Sequence, residues 1–197
     1  MTPKYLQFQF KGNRDYIQGA DIFNELAHNY GNKINEVSFT IHGFVTTPSC
    51  LLYESKLKSE IDALEGIKAR ASFDLDGEKR YIGIVECASE NGARYDYDES
   101  LITKATVIDG DRIRLTSESP YSFIETIVAM NKHYLQNRFE DVAGKWIFTR
   151  LELDHVQDAR NELSIVFRHN MNFRLTKSDV LINDKKVGEI YFSLLKA

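Results

Sequence analysis

"PYSFIETIVAMNKHYLQNRF", residues 120–139, is the stretch on which the reading of this chain turns. Ser119 is suited to cap a helix, and Pro120 to be its first residue, where its missing N–H needs no partner. At about 100° per residue, Phe123, Ile124, Ile127, Val128, Met130, Tyr134 and Leu135 spread over roughly half of the circumference. An arc this wide suits an ordinary amphipathic core helix as well as one wrapped by a curved sheet. Asn131 sits inside this arc. A buried amide needs hydrogen-bond partners, so Asn131 either satisfies backbone groups or lines a polar pocket.

Strand patterns surround this helix. "TKATVIDGDRIRLT" before it reads as a hairpin turning at Asp109-Gly110. "WIFTRLELD" after it reads as a strand. "LSIVFRHNMNFRLT" alternates along its length, with Leu163, Ile165, Phe167, Met171, Phe173 and Leu175 on one side, and so predicts one long strand. "DVLINDKKVGEIYFSLL" is a hairpin turning near Asn183-Asp184.

The first half carries the same order. "YLQFQF" alternates as a strand. "YIQGADIFNELAHNYG" follows as a helix that Asn13 or Asp15 can cap and Gly31 can end. Tyr16, Ala20, Ile22, Phe23, Leu26, Ala27 and Tyr30 share its apolar side, while Asp21, Asn24, Glu25 and His28 share the other. "EVSFTIHGFVT" is a strand with Val37, Phe39 and Ile41 inward. "CLLYESKLKSEIDALEG" combines a strand-like first half with a helical second half. "ARASFDLDGEKRYIGIVECA" is a hairpin turning at Asp76-Gly77. Side by side, Phe8 and Phe10 match Ile113 and Leu115, while Tyr16, Ile22 and Phe23 match Tyr121, Ile127 and Val128. The expected organisation is one repeat over residues 1–90, a polar tyrosine-bearing linker over 91–101, and a second repeat over 102–197.

A helix beside an antiparallel sheet must bury its apolar side on that sheet. In this order of elements the chain resembles the hotdog superfamily, in its double form. The likeness covers nearly the whole chain and rests on element order without a signature motif. It implies an α+β fold, a tandem hotdog in which two long helices are wrapped by one curved antiparallel sheet. It also implies acyl-thioester chemistry on coenzyme A or acyl carrier protein, foremost as a thioesterase, with a catalytically silent binder of an acyl ligand or protein partner as the alternative. In such proteins the thioester carbonyl lies near the start of the central helix, and an acidic side chain acts as base or nucleophile. Helix N–H groups can polarise the carbonyl, and a carboxylate can activate water.

Glu125, in the early turns of the second helix, is the first candidate base. Asp21 is the second. Asn131 and Asn24 are the candidate substrate contacts, and Glu25 and His28 extend the polar face of Asp21 and Asn24. The same positions have plainer readings: a solvated Glu favoured near a helix start, a core amide, and a solvated helix face. Hotdog dehydratases carry a His in a GHFPG-like loop before the helix. The matching loops here, "KGNRDY" and "SESPYS", contain neither, which argues against dehydration.

Composition narrows the remaining classes. The 197 residues are 43% hydrophobic and 27% charged, with a net charge of −4, as in an ordinary globular chain. Basic residues are scattered, so no nucleic-acid footprint is expected. Cys50 and Cys87 have no metal-site spacing and read as two reduced, buried thiols, with a disulfide as the alternative. No HExxH, HxxxH or CxxC predicts a metal, and no GxGxxG, P-loop or GxSxG predicts a nucleotide cofactor or serine hydrolase. The start "MTPKYLQFQF" lacks the pattern of a signal peptide, and no apolar run approaches the ~18 residues of a membrane span. The expectation is a cytoplasmic monomer or homodimer without cofactor.

Overall fold

The structure, a computed structural model, describes residues 1–88 and 92–196. Residues 89–91, the end of the expected first repeat and the first residue of the expected linker, lie outside the described residues. The chain divides into two compact units, Met1–Asp98 and Glu99–Ala197.

The first unit contains β1 (Lys4–Gln7), β2 (Phe10–Lys11), α1 (Gly19–Tyr30), β3 (Ile34–Ile41), β4 (Ser49–Ser55), α2 (Lys58–Asp62), β5 (Ile67–Leu75), β6 (Glu78–Glu86) and β7 (Arg94–Tyr95). Its antiparallel sheet runs β1-β4-β6-β5-β3, and β2 pairs with β7 in parallel. Ile22, Phe23 and Leu26 of α1 are buried, as are Phe39, Phe73, Ile82 and Ile84 of the sheet. The Phe23 ring meets Phe39 edge-on at 5.6 Å, and Tyr30 lies 4.7 Å from Phe73. Each such side chain contributes about 1.5–3 kcal/mol of burial, so this face holds α1 in place. The ambiguous stretch 50–66 resolves into the end of β4 and the short α2.

The second unit contains α3 (Ser100–Thr103), β8 (Thr106–Asp109), β9 (Arg112–Leu115), α4 (Phe123–Arg138), β10 (Lys145–His155), β11 (Leu163–Met171), β12 (Leu175–Ile182) and β13 (Lys185–Leu195). Its strands are ordered β10-β13-β12-β11-β9-β8, all antiparallel. Phe123, Ile124, Ile127, Met130, Tyr134 and Leu135 of α4 are buried, as the wheel requires. Tyr134 stacks at 5.7 Å on Phe167, and Phe139 just past the helix meets Trp146, Phe167 and Phe173.

Three local expectations are corrected. First, α1 begins at Gly19, with Gln18 in the N-cap position and making no side-chain capping bond. Neither Asn13 nor Asp15 reaches it, because Ile17 is bridged to Val45 and holds the chain extended. Gly31 does end the helix, at φ 64°. Second, Ser122 caps α4 and Pro120 lies outside it. Ser119 instead accepts a bond from Thr126 Oγ1 at 2.7 Å. Third, the long strand over 163–175 is two strands and a turn. Asn172 and Phe173 take positive φ of 51° and 62°, and the Asn170 side chain accepts from Phe173 N at 2.7 Å. The left-handed backbone is unusual for Phe, and the contacts of its ring with Phe139 and Trp146 offset the cost. Met171 is consequently exposed rather than inward.

The two units share an order of elements but not a pairing. In each, the helix is followed by two strands and a final hairpin. In the first unit the first strand of that hairpin, β5, pairs with β3. In the second it is the last strand, β13, that pairs with β10. Gly188 marks the second arrangement: a Cβ there would lie 2.1 Å from the carbonyl oxygen of Glu152. Only glycine lets the two backbones approach so closely. No described helix is long and apolar enough to cross a membrane.

Candidate functional site

Glu125 is held at the start of α4. Its Oε2 accepts from Ser122 N at 3.0 Å and from Ser122 Oγ at 2.7 Å, and Ser122 Oγ accepts from Glu125 N at 3.4 Å. This reciprocal capping box satisfies backbone donors that the helix cannot satisfy itself. Asn131 is fully buried, as its place in the apolar arc predicts. Among the described residues, neither Oδ1 nor Nδ2 of Asn131 has a hydrogen-bond partner. Glu125 and Asn131 lie six residues apart, roughly 120° around the helix axis, so they do not converge on one point.

The polar face of α1 is organised differently. Asp21, Asn24, Glu25 and His28 line one hollow of about 420 Å³, together with Gln7, Phe8 and Gln9 from the β1–β2 segment and Tyr95 from β7. Asp21 is in the first turn of α1. Its Oδ1 meets the Lys11 ammonium at 2.8 Å and accepts from the Tyr95 hydroxyl at 2.9 Å. Its Oδ2 is buried and has no hydrogen-bond partner among the described residues. Glu25 accepts from the Asn29 side chain at 3.0 Å.

Lys11 is wholly buried, while the Asp21 side chain is 12% exposed. An unpaired buried ammonium would be very costly. Here it has a carboxylate and the faces of two rings, Tyr97 at 4.5 Å and Tyr95 at 5.6 Å from their centroids. Such faces attract cations. The β2–β7 pair delivers both members: it places Lys11 opposite Tyr95. Arg94 secures β7 by donating to the carbonyls of Gly12 at 3.0 Å and Arg14 at 2.6 Å, with its guanidinium over the Phe10 ring.

The structure therefore brings Asp21 and Asn24 into one hollow with Glu25 and His28, and assigns Glu125 to a helix cap. Sequence reasoning missed Lys11 and Tyr95. Lys11 sits in a stretch read as a polar turn, and Tyr95 in one read as a linker. The signal available was the tyrosine content of that supposed linker, since rings in a polar segment need something to pack on.

Strongly shifted carboxylates elsewhere are structural. Glu86 is partly buried, which favours its neutral form, yet bonds from Lys68, Thr46 and Thr47 pull it from its usual 4.5 to about 2. Glu189 is likewise brought to about 2, against the effect of burial, by Lys177, Lys186 and Tyr191. Both are saturated with donors, and neither lines the hollow beside α1. Burial pushes the Cys50 thiol up to about 12, which disfavours the nucleophilic thiolate, and Cys50 and Cys87 are both free thiols. No group of three His, Cys, Asp or Glu side chains among the described residues is placed to hold a metal ion.

No protein-family model and no curated protein matches the chain. Solved structures similar to it include hotdog-fold proteins, thioesterases and dehydratase domains. A conserved protein of unknown function with hot dog fold from Alicyclobacillus acidocaldarius is 8% identical, with 98% of this chain and 92% of that one covered and a TM-score of 0.48. The dehydratase domain of PpsC from Mycobacterium tuberculosis, in complex with C12:1-CoA, is 8% identical, with 91% and 85% covered and a TM-score of 0.49. An acyl-CoA thioesterase II, TesB2 from Mycobacterium marinum, is 9% identical, with 92% and 90% covered and a TM-score of 0.44. At these distances no residue's role transfers.

Proposed function

We propose that this chain is a tandem hotdog protein that handles acyl thioesters, as a thioesterase on acyl-coenzyme A or acyl carrier protein, with Asp21 as its base. The observation that carries the reading is the asymmetry of Asp21. One carboxylate oxygen is held by Lys11 and Tyr95; the other has no partner among the described residues, in a side chain that lines a hollow. A base needs a fixed position and an oxygen left for the proton it takes.

In this reading the Asp21 carboxylate accepts a proton from water as the water oxygen bonds to the thioester carbon. The carbonyl electrons move onto oxygen, then return as the carbon–sulfur bond breaks. The proton leaves on the thiol, and the products are a carboxylic acid and a thiol. The start of α1 supports the same reading. Gln18 makes no side-chain cap there and Asp21 N donates to the Gln18 carbonyl at 3.0 Å, so the N–H groups of Gly19 and Ala20 and the positive end of the helix dipole would stabilise an oxyanion. Asn24, one turn along, would orient the acyl group.

The test is hydrolysis across a panel of acyl-coenzyme A thioesters, wild type against Asp21→Asn. The variant should lose roughly 10²–10⁴-fold in rate, the usual scale for losing a general base. It also takes a counter-charge away from Lys11, so Asp21→Asn/Lys11→Met, in which both charges are gone, serves as the folded control and should be equally inactive. Undiminished turnover in either would remove Asp21 from the chemistry. The silent-binder reading is favoured by one observation, that Asp21 Oδ2 is out of solvent. It predicts acyl-coenzyme A binding by calorimetry with no turnover.

A further inference from the structure

We infer that Tyr95 is a positioning residue for Asp21: by binding Oδ1 it fixes the plane of the carboxylate and so the direction of the other oxygen. The inference rests on the reading of Asp21 as the base. The two donors on Oδ1 differ in kind. Lys11 supplies charge, and its ammonium can follow a carboxylate through a range of rotations because its attraction has little directional preference. The Tyr95 hydroxyl supplies direction. It is a single O–H on a rigid ring, 2.9 Å from Oδ1, and bonds of this type weaken steeply away from linearity. With Lys11 alone the plane of the carboxylate can swing: a half-turn only exchanges two equivalent oxygens, but intermediate rotations turn the second oxygen off its line. With Tyr95 in place, one rotational state is selected.

The setting of Tyr95 is that of a fixed part. It is reached across 74 residues of chain and is held by the β2–β7 pairing and by the Arg94 bonds to Gly12 and Arg14. Gly92, at the head of the same segment, has no room for a side chain, since a Cβ would lie 2.5 Å from the Phe10 ring. Tyr97 provides an internal control. Its ring also lies over Lys11 and is near Arg14, whereas the hydroxyl bonded to Asp21 is that of Tyr95. Lys11 from β2 and Tyr95 from β7 bind Asp21 directly, and Glu25 and His28 of α1 line the same hollow.

Steady-state kinetics of Tyr95→Phe and Tyr97→Phe, on whichever acyl-coenzyme A the wild type hydrolyses, tests this. Tyr95→Phe keeps the ring over Lys11 and removes only the hydroxyl. It should lower kcat about tenfold with KM changed less than about twofold, because the productive state of Asp21 becomes a fraction of its population. Tyr97→Phe should change neither. Melting curves of both variants should match the wild type to within about 2 °C, because a merely structural role would appear there first. An active wild type with an unimpaired Tyr95→Phe overturns the inference and leaves the base assignment standing. Equal losses in both tyrosine variants also overturn it, since the loss then does not follow the bond from Tyr95 to Asp21. A wild type that hydrolyses no thioester overturns both readings together.

Discussion

Asp21 and Glu125 occupy the same position of two helices. Counted from the residues at the N-caps, Gln18 and Ser122, each is the third residue of its helix. Each is a carboxylate beside an apolar stripe. Yet Glu125 folds back on Ser122, whereas Asp21 reaches across to another segment for Lys11 and Tyr95. The cap residue makes the difference. A serine hydroxyl both donates to the carboxylate and accepts from its backbone, so it captures the nearest acid. Gln18 makes no such bond, and the acid is left to a partner far along the chain. A first-turn carboxylate is therefore not a candidate site by type or position; here the one without a local capping bond is the one that reaches distant partners.

Four substitutions probe this contrast. The largest expected effect is from Lys11→Met, which leaves the Asp21 carboxylate in place without its counter-charge. Breaking a buried pair from one side costs about 3–5 kcal/mol, to be read from urea unfolding; a loss under about 1 kcal/mol would show the pair to be dispensable. Next is Asn131→Leu. The amide has no described partner, so an isosteric apolar side chain removes a desolvation cost, and stability should rise by about 1–3 kcal/mol. A fall of that size instead would mean that ordered water or a ligand satisfies the amide. Smaller is Glu125→Ala, which removes half of the capping box. It should cost about 0.5–1 kcal/mol and leave turnover intact, in contrast with Asp21→Asn. Least of all should be Gln18→Ser. It offers α1 the cap it lacks and is expected to add a few tenths of a kcal/mol while lowering activity, as Asp21 gains a competing partner. Unchanged activity there would weaken the account of why the two acids differ.

Much of the fold was legible because periodicity and turn chemistry are local. The wheel of α4 predicted the burial of Asn131, Ile127 and Tyr134, and Asp76-Gly77 and Asn183-Asp184 marked real hairpins. The strand over 163–175 misled because alternation continues through Phe173, where a half-buried ring in a turn imitates an inward strand position. Ser119 misled because it too is a hydroxyl before a helix, three residues early. The site was half legible. Asp21, Asn24, Glu25 and His28 share a helix face and could be grouped by spacing. Lys11 and Tyr95 come from two-residue strands in parallel pairing, which leave no periodic trace.

The flipped hairpin also orders events in time. β11, β12 and β13 follow one another in sequence and in the sheet, so most of the second unit's sheet can zip from two adjacent turns. In the first unit only β5 and β6 are joined that way; β4 must find β6, and β3 must find β5, across intervening chain. Closing longer loops before any contact repays them slows folding. In pulse-labelled hydrogen exchange during refolding, the amides of β11–β13 should gain protection ahead of β3 and β4. A chain whose two halves look like repeats should thus assemble them at different rates.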